Sequence, residues 1–198
     1  MIGDSSSDKL RPRAGVSGNP SSRSTLGVLG LVLMLLAGFG LLPRVLRQHH
    51  GASVGRDAPD FALPLVANAS SVGESKPTLS LTELRGRAVL LDFWATWCEP
   101  CRIQAPIVDQ VARRWSGRGL VVVGINTDTS DQGDPRAFAL SRGLSYPIVR
   151  DDVGAASRAY EVEDLPTLVV VSRTGKVVAV RTGVTDDGEI ERLVRQAL

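Results

Sequence analysis

The stretch Asp92-Phe93-Trp94-Ala95-Thr96-Trp97-Cys98-Glu99-Pro100-Cys101 decides how the rest of the chain is read. It joins an apolar run, Ala88 to Phe93, to a pattern of helical spacing that starts at the cysteines. The chain has 2 cysteines, and these are both of them. A bridge between them would close too short a loop to constrain the unfolded chain much, so it makes a poor staple. It suits a pair that opens and closes. With Cys98 at the first turn of a helix, unpaired N–H groups and the helix dipole would stabilise its thiolate. Cys101, one turn on, would then stand where it can attack a mixed disulfide on Cys98. The alternative is a buried, inert thiol pair.

Outward from this stretch the chain alternates strands and helices. Ala88 to Phe93 is almost continuously apolar, as expected of a strand covered on both faces. Asp92 is its exception. An unpaired charge there would be costly, and burial should raise its pKa, which suits a proton acceptor for Cys101. A satisfied structural aspartate is the alternative. After Cys98, Ile103, Ile107, Val108, Val111, Ala112 and Trp115 recur at helical spacing. Pro106 lies inside that pattern and predicts a kink; Gly117 and Gly119 end it. Leu120 to Ile125 reads as a second buried strand. Asp134-Pro135 reads as a helix cap and first position, with Gly143 as the stop. Tyr146 to Val149 reads as a short strand and Ala155 to Tyr160 as a short helix. Leu168 to Ser172 and Val177 to Val180 read as a hairpin across Thr174-Gly175. The last helix starts near Asp186 or Asp187 and should bury Ile190, Leu193, Val194 and Ala197. Upstream, Phe61 to Val66 and Thr78 to Leu81 read as short strands around the connection Ala67 to Pro77. Ser80 is placed to cap a turn through Leu84, and Arg85-Gly86-Arg87 is a turn. Two strand–helix–strand units, a hairpin and a terminal helix give an α/β domain: a mixed sheet flanked by helices.

The segment Asp92 to Ala95, then Trp97 to Cys101, then Ala105-Pro106 resembles the thioredoxin active-site segment. Asp164-Leu165-Pro166-Thr167 resembles the cis-proline loop of that superfamily. Ala58-Pro59-Asp60-Phe61 and Leu84-Arg85-Gly86-Arg87 resemble the lead-in of membrane-anchored, extracytoplasmic thiol-disulfide oxidoreductases of the TlpA/ResA type, which carry an AhpC/TSA-like redoxin domain. The similarity spans roughly residues 54 to 198. It implies a thioredoxin fold with an N-terminal strand extension and a helix–strand insert at Thr127 to Asp152. It implies Cys98 and Cys101 as a redox disulfide, and Asp92 as the residue that takes the proton from Cys101. It implies a cis Pro166 facing the sulfurs, with the backbone of Leu165 free to pair with an extended substrate. A trans turn proline is the alternative. Trp97, Glu99 and Pro100 are expected to tune the pair. Trp97 would cover one side of the sulfurs or simply pack in the core. The Glu99 carboxylate disfavours the thiolate and so favours a reductant, unless it is only a solvated first-turn residue. The pattern departs from its relatives at two positions. Gln104 stands where ResA-type proteins carry a glutamate, and Gly124 stands where thioredoxin carries a lysine. The proton path is therefore expected to rest on Asp92 and water.

The chain of 198 residues has room for one such domain, 58–198, after an N-terminal extension. Residues 1–25 are rich in Ser, Gly, Pro and Arg and read as a disordered cytoplasmic tail. Leu26 to Leu42 is apolar or glycine throughout and carries no charge, just enough to span a bilayer. The basic excess lies on its N-terminal side, at Lys9, Arg11, Arg13 and Arg23 against Arg44 and Arg47. Residues 26–43 are therefore read as a single-pass signal anchor in the cytoplasmic membrane, with the domain on the periplasmic or extracytoplasmic side. A cleaved signal peptide is the alternative. Residues 44–57 read as a polar linker, and His49-His50 within it as a solvated pair rather than a metal site.

Net charge is +2, with 23 basic and 21 acidic residues and no basic patch interleaved with aromatics, so nothing points to nucleic acid. Both histidines fall outside the domain, so a Cys–His hydrolase lacks its base. A zinc or copper site on the two cysteines lacks further ligands, and no cofactor is expected. The resemblance implies partners: disulfide-containing exported proteins, apocytochrome c among the candidates, and a membrane thiol reductant. Two other functions remain open. A peroxiredoxin-type thiol peroxidase would want a Pro-x-x-x-Thr-x-x-Cys pattern, whereas Leu91 and Ala95 hold those positions. The other is a non-catalytic, membrane-anchored thiol chaperone.

Overall fold

The chain divides into two compact units, residues 1–48 and 49–198. The computed structural model describes residues 53–72 and 77–198, all within the second unit. The tail 1–25, the apolar run Leu26–Leu42 and the His49-His50 pair lie outside the described residues. Among the described residues no helix is long and apolar enough to cross a membrane.

Among the described residues seven strands and four helices follow one another in the order β1 (Ala62–Ala67), β2 (Thr78–Ser80), β3 (Ala88–Trp94), α1 (Glu99–Trp115), β4 (Leu120–Asn126), α2 (Pro135–Arg142), β5 (Ile148–Arg150), α3 (Ala155–Ala159), β6 (Thr167–Val171), β7 (Val177–Thr182) and α4 (Asp187–Ala197). The strands form one sheet in the order β2-β1-β5-β4-β3-β6-β7. β3, β4 and β5 run parallel, as the α1 and α2 crossovers require; β6 and β7 add antiparallel beside β3. This is the thioredoxin-like α/β fold. β1 and β2 supply the N-terminal extension, and α2 with β5 supplies the insert.

The two faces of the sheet are set by the alternation along β3. Leu90 and Trp94 point to the side covered by α1 and α4, among Val108, Val111, Ile190, Leu193 and Val194. Val89, Leu91 and Phe93 point to the other side, among Phe61, Leu84, Ile125 and Tyr160. All seven residues of β3 are buried, which is why the strand reads as continuously apolar. By the same parity Asp92 belongs to the α1 face.

The caps explain the boundaries. Asp134 accepts from Arg136 N–H and Ala137 N–H at the start of α2, and Gly143 ends it at φ 62°. Asp186 caps α4 through Glu189 N–H. The turn Thr82–Leu84 is capped differently from expectation: its N-terminal side chain makes no capping bond. Asp60 accepts from Thr82 N–H at 3.1 Å and from the Thr82 hydroxyl, so Asp60, not Ser80, holds it. A carboxylate with two acceptor oxygens reaches both donors at once. The strand expected at Tyr146–Val149 is instead Ile148–Arg150, and Tyr146 precedes it. The end of the stretch read as linker, with Ala58 just after it, hydrogen-bonds along β7 and its turn: Gly55 N–H to Val177 O at 2.8 Å and Ala58 N–H to Gly175 O at 2.8 Å.

Helix α1 runs through Pro106. Proline has no N–H for the carbonyl four residues back, Arg102 O. Arg142 Nη1 donates to that oxygen at 3.3 Å. Its guanidinium also lies 5.2 Å above the Phe138 ring, and Phe138 packs on Trp94 at 4.6 Å between centroids. The missing helix bond is thus replaced by a tie to α2.

Candidate active site

Strand β3 delivers the chain to the start of α1 through a short turn with its own hydrogen bonds. Cys98 N–H donates to Ala95 O at 3.2 Å, and Thr127 N–H to Trp94 O at 2.9 Å. Thr96 N–H donates to both oxygens of Asp128, at 3.2 and 3.1 Å. Asn126 Nδ2 donates to the same carboxylate at 2.9 Å, so this buried charge is satisfied by two donors making three contacts. Cys98 is extended (φ −79°, ψ 107°) and is the N-cap of α1. Its Sγ accepts from Cys101 N–H at 3.2 Å. Pro100 sits in the first turn, where the absent N–H leaves nothing unpaired.

Cys98 and Cys101 are joined as a disulfide, with 5.3 Å between their Cα atoms. Cys98 borders a groove of about 670 Å³ whose walls include Trp97, Glu99, Pro100, Asp164 and Leu165. Cys101 does not line it. The Leu165–Pro166 bond is cis, and Pro166 O accepts from Gly183 N–H at 2.8 Å. Leu165 lines the same groove as Cys98. Trp97 is 62% exposed, so it walls the groove and does not pack in the core.

Asp92 lies on the α1 face of the sheet, the face on which the two cysteines pack, and is 2% exposed. In the sheet it faces Gly124 on one side and Leu168 on the other. Burial pushes its pKa up to about 7, against a lesser downward pull from a hydrogen bond with Tyr146. That bond runs from the Tyr146 hydroxyl to Asp92 Oδ2 at 3.3 Å. The other oxygen, Oδ1, is buried with no hydrogen-bond partner among the described residues.

Gly124 makes this arrangement possible. A Cβ there would sit 3.0 Å from Tyr146 Cε2 and 3.1 Å from Trp94 Nε1. The phenol ring occupies the space that a side chain on β4 would need. Tyr146 escaped the sequence reading, which took it as the first residue of a strand and left the proton path to Asp92 and water. The available signal was the glycine itself, since an isolated glycine in a buried strand marks a close approach.

Glu99 pairs with Arg102 at 3.2 Å, both side chains well exposed. Arg102 also donates to Thr96 O at 3.1 Å. A cation therefore accompanies the carboxylate beside the motif and offsets it, so Glu99 by itself does not set the sign of the local potential. Gln104 is buried and exchanges two bonds with the backbone of Thr185. Among the described residues no group of three or more His, Cys, Asp or Glu side chains is placed to hold a metal ion.

Residues 54–180 match the AhpC/TSA family. The thiol-disulfide oxidoreductase ResA of Bacillus subtilis is 32% identical over 164 residues, 83% of this chain and 86% of that protein. The thioredoxin-like protein YneN of the same organism is 30% identical over 168 residues, 84% of this chain and 93% of that protein. Among solved structures, a candidate thiol:disulfide interchange protein DsbE from Chlorobium tepidum superposes with a TM-score of 0.65 at 31% identity, covering 74% of this chain and 99% of that one.

Proposed function

The chain belongs to the AhpC/TSA family and is a thiol-disulfide oxidoreductase, and from that premise we propose which atoms carry the exchange and on what substrates. In the reduced enzyme the Cys98 thiolate attacks a disulfide of a protein substrate. A Cys98–substrate disulfide forms, and the other substrate sulfur leaves as a thiolate that takes a proton from solvent. Cys101 gives its proton to Asp92 and attacks Cys98 Sγ. The Cys98–Cys101 disulfide forms and the second substrate thiolate leaves. Two electrons pass from the cysteine pair to the substrate, and the proton on Asp92 returns to solvent.

The observation that carries this assignment is the placement of Cys98. It is the N-cap of α1, its sulfur accepts a first-turn N–H, and it borders the groove that Cys101 does not line. A thiolate there is stabilised by the helix terminus and reachable from outside. An extended substrate strand alongside Leu165 would lie across the sulfurs. The CxxC disulfide also favours exchange over peroxide chemistry, for which Leu91 and Ala95 are the wrong residues.

The substrates we propose are exported proteins with disulfides, including the haem-binding cysteines of apocytochrome c. Residues 26–42 hold the domain on the extracytoplasmic side of the membrane. This part rests on the uncharged run Leu26–Leu42, the basic residues before it and the ResA-type relatives. Such compartments are oxidising, so a membrane thiol reductant must recharge the pair after each turnover. The test is to trap the partner with Cys101→Ala in cells. A mixed disulfide through Cys98 with an exported protein is expected, to be identified by mass spectrometry. Recovery of no covalent partner, where the wild type is required for growth, would sink the exchange reading.

A further inference from the structure

We propose that Tyr146 is a positioning residue for the proton step: its phenol holds Asp92 Oδ2 and leaves Oδ1 as the oxygen open to the proton. The proposal rests on the reading of Asp92 as the base for Cys101.

Three holds fix the tyrosine. Asp109 of α1 accepts from Ser145 N–H and from the Ser145 hydroxyl, both at 2.7 Å. Asn68 Nδ2 donates to Leu144 O at 2.8 Å and to Tyr146 O at 2.9 Å. Gly124 N–H donates to Pro147 O at 2.9 Å. The backbone on both sides of Tyr146 is thus tied to α1, to the segment after β1 and to β4. The ring lies where the glycine leaves room. A plain core tyrosine would not need its hydroxyl aimed at a buried carboxylate.

The chemistry follows from the donor type. A phenol donates one hydrogen bond and adds no charge. It stabilises the carboxylate more than the neutral acid, which opposes the upward push of burial. Burial, followed by the charges of Asp92 and Asp109, holds the tyrosine's own pKa well above its ordinary value. It therefore stays a donor throughout the working pH range. Of the other titratable groups on this face, Cys98 caps α1, and Cys101 and Asp109 belong to it. Asp109 pairs with Arg113 at 2.6 Å, Arg114 pairs with Glu191 of α4, and Asp128, after β4, is bound by Thr96 and Asn126. Gly124 of β4 and Leu168 of β6 carry no charge. Arg142 of α2 lies over the Phe138 ring and donates to Arg102 O of α1.

The experiment uses the full chain, oxidised so that neither cysteine titrates, with 13C-carboxyl aspartate and the Asp92 signal assigned by its loss in Asp92→Asn. The wild-type midpoint should lie near pH 7. Tyr146→Phe keeps the ring and should move the midpoint up by about one pH unit. In the reduced chain, Cys101 resolution of a Cys98 mixed disulfide should then be roughly fivefold slower at pH 7 and unchanged above about pH 9. An unmoved or lowered midpoint in Tyr146→Phe overturns the proposal. A second readout needs no variant: the wild-type Tyr146 Cζ signal should titrate with the Asp92 midpoint, and a flat response overturns it too. The underlying reading fails separately. If Asp92→Asn resolves at the wild-type rate with the wild-type pH profile, Asp92 is not the base. If Asp92→Asn is slow and Tyr146→Phe is unshifted, Asp92 stands and Tyr146 falls.

Discussion

Gln104 and Thr185 form a two-way amide pair: Thr185 N–H donates to Gln104 Oε1 at 2.6 Å, and Gln104 Nε2 donates to Thr185 O at 3.2 Å. Both residues are buried. The pair joins the middle of α1 to the turn before α4, and it needs a side chain that is donor and acceptor together. A carboxylate is only an acceptor.

Gln104→Glu should therefore be tolerated only while protonated. The neutral acid can still donate to Thr185 O; the ionised form would face that carbonyl oxygen. Burial and the loss of a donor both raise the folded pKa, so the variant's stability should be close to wild type at low pH and fall as pH rises through that raised value. The loss above it should be about 1–3 kcal/mol. Urea unfolding at pH 5 and pH 8 checks this, and equal losses at both would contradict it.

Asp92 imposes its own slope. Its folded pKa is raised from 3.8 to about 7, so the folded state binds the proton more tightly than the unfolded state. Stability is fully present below about pH 4 and declines as pH rises toward 7, by at most roughly 4 kcal/mol. Asp92→Asn should remove that decline and leave the oxidised protein more stable than wild type above pH 7. A variant that kept the wild-type slope would show that another group is responsible.

Asp128 holds the turn ahead of Cys98 through Thr96 N–H and carries no chemistry of its own in this scheme. Asp128→Ala leaves Thr96 N–H and Asn126 Nδ2 without their acceptor, which should cost about 3 kcal/mol. The Thr96 amide should also exchange with solvent far faster than in the wild type. Unchanged protection at Thr96 would mean that the turn holds itself.

Asp60→Ala separates stability from catalysis. It removes both bonds to Thr82 and should cost about 1 kcal/mol, as for a lost cap. The rate of disulfide exchange should not move, because this turn lies on the sheet face away from the cysteines. A matched drop in exchange rate would place Asp60 in the site.

Much of the fold was legible because its signals are local. Cap residues such as Asp134 and Asp186, the apolar run of β3 and the spacing along α1 each report on a few neighbouring positions. The Cys98–Cys101 pairing, the burial of Asp92 and the cis bond at Pro166 were legible for a second reason: these residues occur in short motifs. Tyr146, Asp128 and Asp60 were not. Each acts on a residue far away in the chain, Tyr146 on Asp92 at a separation of 54, for example. No periodicity or turn chemistry records such a bond. Gly124 was the one trace of it, visible as a missing side chain whose purpose only the packed ring explains.

The proline inside α1 has a consequence for anyone wishing to toughen this protein. Replacing a helix-interior proline by alanine ordinarily gains about 3 kcal/mol. In Pro106→Ala the restored backbone N–H would compete with Arg142 for the oxygen of Arg102, and the guanidinium would lose its anchor over Phe138. An apparent flaw in one helix is the socket into which its neighbour plugs, so repairing it loosens the joint, and the net gain should be well short of the usual one.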